Sequence, residues 1–247
     1  MRYRYDLHIH TALSPCADDG MTPVTVVGRA KLAGLDMVAV SDHNAIGHVP
    51  LAMRAGEEYG ITVVPAVEIQ SAEDIHLLCL FGDYGGLEKF FGKLAFPNIK
   101  NRAELFGNQL LYDEDDNVVG CERRLLLAGA FQSCDEVRAL AETSGGIAVP
   151  AHIDRDGNSM LKILGCIPGE YSAVELSPYA SAEQREYWLA RKAVISDSDA
   201  HTPFAEFSAA ETELEELSAA ALVDALRRGV FPKGKMSNTL DFGSKNR

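Results

Sequence analysis

With 247 residues, 47% of them hydrophobic, the chain has the size and apolar content of one large α/β domain. A formal net charge of −13 opposes binding of extended nucleic acid, which depends on Lys and Arg neutralising phosphates, but leaves room for one small anion held locally. No apolar run is long enough to cross a bilayer, and the start, Met-Arg-Tyr-Arg-Tyr-Asp, enters a strand directly without a leader pattern.

The five cysteines (Cys16, Cys79, Cys121, Cys134, Cys166) contain no Cys-x-x-Cys pair and read as reduced thiols of a cytoplasmic protein. The oligomeric state is not legible.

The chain reads as alternating strands and helices. Tyr3, Tyr5, Leu7 and Ile9 mark a short first strand, and His8 and His10, two apart, project from one face past its end. After a loop over residues 12–21, Thr22 and Pro23 open a helix as N-cap and first helical residue, and Gly34 ends it. Residues 36–41 form a buried strand followed at once by Asp42-His43-Asn44. A helix over about 50–59 stops at Gly60, a third strand over 61–67 ends at Glu68, and a fourth over 75–81 carries His76.

Residues 82–132 give no clean strand–helix units and read as an insertion over a barrel mouth, with a hairpin over 110–119 turning at Asp115, Asp116 and Asn117. Ser133 and Glu136 form a capping box for a helix that ends at Gly145-Gly146. The strand over 147–151 then delivers His152. A strand over 173–176, a helix over 182–190 with Trp188, and a strand over 193–196 lead to Asp197-Ser-Asp-Ala-His201. A last helix covers about 218–228.

Apolar strands thus keep ending in histidine or acid, and of the seven histidines only His48 falls elsewhere. One strand-end histidine is ordinarily a hydrogen-bonded core residue. Six in one register, with several acids, would repel and shift each other's pKa. A cluster of divalent cations resolves that conflict, and imidazole with carboxylate suits Zn²⁺, Mn²⁺ or Fe²⁺. In an α/β barrel the C-terminal strand ends share one mouth.

These motifs, Asp6-Leu-His-Ile-His-Thr11, Asp18, Ser41-Asp-His43, Glu68, His76, His152 and Asp199-Ala-His201, resemble the PHP (polymerase and histidinol phosphatase) family of metal-dependent phosphoesterases. They occur in family order over about residues 3–201, and the likeness is greatest to the small stand-alone members. The resemblance implies a distorted, TIM-like (β/α)7 barrel as a single domain over 1–247, interrupted by the 82–132 insertion. It implies two or three divalent ions per chain (Mn, Fe or Zn).

His8, His10, Glu68 and Asp199 then hold one ion, and Glu68 bridges to a second held by His76 and His152. Asp18, His43 and His201 hold a third. The loop between His10 and Asp18 is longer than the family's usual one, so Asp19 competes for the Asp18 role, and Cys16 reads as a loop residue.

The implied activity is hydrolysis of a small phosphomonoester (a nucleotide, sugar phosphate or histidinol phosphate) by metal-activated hydroxide attack on phosphorus. Asp42 and Asp197 adjoin ligands and are candidates for orienting imidazoles or protonating the leaving group. Arg155 is a candidate phosphate contact, while Arg123 and Arg124 read as surface residues. Rival readings are a single-strand exonuclease using the same metals, an amidohydrolase-type barrel, and a non-catalytic metal-binding regulatory module. The amidohydrolase type usually needs a carboxylated lysine where Glu68 stands.

Overall fold

The structure, a computed structural model, describes residues 1–229. Residues 230–247 of the expected single-domain span lie outside the described ones.

The elements in chain order are β1 (Arg2–Asp6), α1 (Pro23–Leu32), β2 (Met37–Val38), α2 (Val49–Tyr59), β3 (Thr62–Val63), β4 (Ala66–Gln70) and β5 (His76–Phe81). They continue with α3 (Tyr84–Phe91), α4 (Ala103–Phe106), β6 (Leu110–Tyr112), β7 (Val118–Cys121), α5 (Cys134–Thr143), β8 (Gly146–Pro150) and α6 (Met160–Leu164). The last are β9 (Ala173–Glu175), α7 (Ala182–Leu189), β10 (Ala193–Ile195), β11 (Ala210–Glu213) and α8 (Ala219–Arg227).

Local chemistry sets many of these boundaries. The Thr22 hydroxyl accepts the Thr25 N–H, and Pro23 follows at the first helical position of α1. Gly60 closes α2 in the left-handed conformation, at φ 63°, where a Cβ would be unfavourable. Ser133 and Glu136 form the capping box of α5 as expected.

Strands β1, β2 and β3 are parallel neighbours, β4, β5 and β8 form an antiparallel sheet, and β9 and β10 pair in parallel. Isolated bridges link the pieces: His43 to Glu68 between the β2 extension and β4, and Ile9 to Ala200 between the β1 and β10 extensions. The Ile153 N–H donates to the Glu175 carbonyl and joins β8 to β9. The strands therefore follow one another around a distorted α/β barrel.

Strand β5 shows how this barrel is packed. Leu78 and Leu80 face a cluster with Tyr5, Leu7, Met37 and Val149, which Leu222, Val223 and Leu226 of α8 complete. Leu77, Cys79 and Phe81 face the opposite cluster, with Val26, Val27 and Ala52 of α1 and α2 and Val137 of α5. Both strand faces are buried, which is why the sequence there is apolar without alternation.

Four expectations are corrected. The single strand expected over 61–67 is two: Pro65 has no N–H to give a ladder, and the chain changes partner there from β2 to β5. Glu68 consequently sits inside β4, not past a strand end, and His76 opens β5, whose antiparallel direction brings its start to the same mouth. Residues 84–91, read as irregular, form α3, capped by Asp83 and packed on β5 and α5. Strand β11, which the sequence did not suggest, pairs antiparallel with β1. The hairpin expected over 110–119 is present as β6 and β7.

Candidate metal centre

Glu68 is the hub of the mouth. Its carboxylate lies 2.8 Å from His43 Nδ1, 2.9 Å from His76 Nδ1, and 3.3 Å from each Nε2 of His8, His10 and His152. Asp199 Oδ1 lies 3.1 Å from His10 Nε2 and 3.5 Å from His8 Nε2. The His201 ring stacks on His10 with centroids 4.2 Å apart, and its Nδ1 donates to the Asp199 carbonyl. Eight of the nine expected ligands thus converge, and the exception is Asp18.

Asp18 is exposed, and its carboxylate accepts the Gly20 N–H at 2.8 Å. Asp19 is also exposed and accepts from the Asn108 amide at 2.8 Å. Three groups of donor atoms each gather within 4.8 Å of one another: His8, His10 and Glu68; His43, Glu68 and His76; and His10, Cys16, His43 and His201, so Cys16 joins the two imidazoles that Asp18 was expected to join.

The backbone is held in unusual conformations to make this arrangement. His152 and Asp199 have φ of 32° and 52°, a left-handed region that costs a non-glycine residue about 1–3 kcal/mol and clusters at functional sites. His8, His10, Glu68 and His152 are buried.

The electrostatics divide the imidazoles. Burial opposes charge on both His8 and His10, but Glu175, Glu68 and Asp199 outweigh it at His8, holding it well above its ordinary value, and Asp199 and Glu68 hold His10 at about 9. Burial and the neighbouring imidazoles push His43 down to about 4 and His201 to about 3. Burial alone would raise the Glu68 carboxyl, yet His76, His8 and His43 hold it well below the usual carboxylate range.

The donor set fits divalent cations. Buried imidazoles and carboxylates point their lone pairs at shared space. The closest pair, Nδ1 of His43 and Oε2 of Glu68, lacks hydrogen-bond geometry and has no other hydrogen-bond partner.

Beneath the candidate ligands lies a supporting layer. Glu175 accepts the His8 Nδ1–H with both oxygens at 3.0 Å and the His152 N–H at 3.1 Å. It was missed because a lone acid at the end of an ordinary short strand carries no motif of its own. Its one sequence signal is that position, in strand register with the other site-bearing ends.

Asp42 accepts from the Thr11 N–H, the Thr11 hydroxyl and the Ser14 hydroxyl, and Ser14 Oγ lies 3.0 Å from His10 Nδ1. Asp197 accepts the Leu7 N–H, and burial together with Glu175 and Asp6 raises its carboxyl well above the ordinary range. Both aspartates are buried, and neither lines the cavity.

His48, which fell outside the pattern, is also buried. Its Nε2 accepts the Tyr112 N–H, so Nδ1 carries the proton and donates to Thr11 Oγ1, which donates to Asp42.

The cavity over the cluster measures about 510 Å³ and is lined by His43, Glu68, His76, His152, Asp199 and His201 together with Cys16, Gln70, Leu127, Arg155, Gly157 and Asn158. Arg155 pairs with Asp199. Arg123 is exposed, and Arg124 is occupied by the Asn44 carbonyl and the Phe96 ring. No helix among the described residues is long and apolar enough to cross a membrane.

A barrel mouth with one buried carboxylate among several imidazoles is the arrangement found in metal-dependent hydrolases. Within that class the chain belongs to the PHP domain family, whose model matches residues 6–155. PHP domains bind divalent metals, and the buried His/Glu cluster suits them.

Over 83 residues the chain is 34% identical to a 5'-3' exoribonuclease of Haemophilus influenzae, covering 32% of this chain and 29% of that protein. Over 72 residues it is 36% identical to the PolC-type DNA polymerase III of Bacillus cereus, 29% of this chain and 5% of that one. The matches span under a third of these relatives.

Among solved structures, the lesion-specific endonuclease PfuEndoQ from Pyrococcus furiosus superposes with a TM-score of 0.66 at 19% identity, over 92% of this chain and 56% of that one. A putative metal-dependent phosphoesterase from Bifidobacterium adolescentis superposes with a TM-score of 0.60 at 21% identity, over 90% and 94%. These two share the fold.

Proposed function

We propose that the protein is a metal-dependent phosphoesterase that hydrolyses a small phosphomonoester at a centre of two or three divalent ions. The observation that carries this reading is the reach of Glu68, one carboxylate within 3.3 Å of five imidazoles. Two ions sharing that carboxylate would be held by His8, His10 and Asp199 on one side and by His76 and His152 on the other. His43 and His201 would serve a third. Bound divalent cations supply Lewis acidity and a water made acidic enough to attack near neutral pH.

The chain's own residues do the rest. Glu175 holds His8 with its Nε2 turned to the mouth, and the Asp42–Ser14 pair orients His10. Arg155, at the cavity edge, is placed to bind a phosphate oxygen once it leaves Asp199. Asp42 and Asp197 act as positioning groups because burial keeps them from the leaving group. The cavity volume falls in the range of small-ligand sites.

A second reading, removal of nucleotides from a single-stranded end, is favoured by the identity to the Haemophilus exoribonuclease. The net charge of −13 weighs against a long strand. Phosphate release from mononucleotides, sugar phosphates and histidinol phosphate, run beside cleavage of a labelled oligonucleotide, separates the two. Turnover of monoesters with the oligonucleotide intact supports the first, and the reverse replaces it with the second.

A further inference from the structure

We propose that Cys16 is a metal ligand. Its Sγ, with His43 and His201, holds the third ion in place of a carboxylate. This inference rests on the reading of the mouth as a metal centre.

The donor atoms of His10, Cys16, His43 and His201 lie within 4.8 Å of one another, so one ion reaches them with small shifts. His10 Nε2 and His43 Nδ1 also face Glu68, so this group adjoins the ions that Glu68 would share. Of its four members, Cys16, His43 and His201 line the cavity and His10 does not.

Neither acid of the loop joins these donors: Asp18, whose N–H donates to the His201 carbonyl, turns its Oδ1 to the Gly20 N–H, and Asp19 accepts from the Asn108 amide.

Neighbouring contacts fix the loop in this position. Leu110 N–H donates to the Ala12 carbonyl, and the Tyr112 hydroxyl donates to the Asp19 carbonyl. Gly107, at φ 97°, lies so close that a Cβ there would fall 2.0 Å from the Pro15 carbonyl oxygen. Residues 107–112, just beyond α4 and in β6, thus brace the Pro15-Cys16 turn over the mouth. Ser14 anchors its start, accepting the His43 N–H and donating to Asp42.

Binding exchanges the thiol proton for the metal: the S–H bond breaks, an S–metal bond forms, and H⁺ leaves to solvent. A thiolate with two imidazoles favours Zn²⁺ or Fe²⁺ over Mn²⁺ or Mg²⁺ at this position.

The test uses the full chain, stripped with chelator and titrated with Co²⁺ alone. The expected result is a near-ultraviolet thiolate-to-cobalt absorption band. It should be lost in Cys16→Ser and retained in Asp18→Asn and in the Cys121→Ser/Cys166→Ser double variant. On the unmodified chain, Zn²⁺ should slow alkylation of Cys16 roughly tenfold or more, read by peptide mass spectrometry, which needs no variant to fold.

Visible cobalt absorption without the near-ultraviolet band, or a band that survives Cys16→Ser and vanishes in Asp18→Asn, overturns the assignment. Failure to bind cobalt at all overturns the metal-centre reading itself, and this inference with it.

Discussion

Glu175 turns both carboxylate oxygens toward Nδ1 of His8, each at 3.0 Å, on the side of the imidazole away from the mouth. That contact commits the Nδ1 proton and leaves Nε2 as the ligand atom. Glu175→Gln should weaken metal binding about 10–100-fold while leaving the fold intact, and excess metal should restore activity. Metal titration followed by phosphate release checks this. Unchanged affinity in the variant would contradict it.

Removing the hub should be more severe. Glu68→Ala should lower activity at least about a hundredfold, and added Mn²⁺, Fe²⁺ or Zn²⁺ should not restore it, because among the described residues no other carboxylate reaches His43, His76 and His152 together. Elemental analysis should show a matching fall in bound metal. Full metal content with lost activity would assign Glu68 a different role.

Arg155 should report on substrate and not on metal. Arg155→Ala should lower kcat/KM for a monoester about 10–100-fold, the worth of a charged hydrogen bond. Bound metal should stay constant. Loss of metal instead would mean that the Asp199 pair is what Arg155 serves.

The pH dependence follows from His10. Its folded pKa is raised to about 9 from 6.5, so its contribution to the stability of metal-free protein is full below about pH 6.5. That contribution is lost as pH rises through 9, and His8 acts in the same direction. Metal must displace these protons, so metal affinity should rise over the same window. Thermal melts of chelator-treated protein should therefore show Tm falling from pH 6.5 to 9, and melts with metal should show a growing difference. A metal-free Tm that stays level or rises would contradict the assignment.

Much of this cluster was legible because strand-end histidines are few and chemically conspicuous. His8, His10, His43 and His152 close apolar runs, and His201 follows one after Ser196-Asp-Ser-Asp-Ala200. What was not legible has physical causes. Pro65 changes the strand partner without altering the hydrophobic pattern, so the antiparallel β5 and the true setting of Glu68 and His76 were hidden. Glu175 is one acid at the end of one short strand, and only its packing on His8 and His152 distinguishes it. Asp18 does not meet the other donors because the loop turns its acids away from the mouth while Cys16, though exposed, lines the cavity, an arrangement braced by contacts with Gly107 and Leu110 far along the chain.

The central claim, that these side chains cage more than one cation to hydrolyse a phosphate ester, is tested most directly by one paired measurement. Metal content and phosphate release are followed on the same full-length sample before chelation, after it, and after re-addition of Mn²⁺, Fe²⁺ or Zn²⁺. The account predicts more than one ion per chain, with activity that disappears and returns with the metal. Undiminished hydrolysis by metal-free protein, or no bound ion when all three are offered, would contradict it.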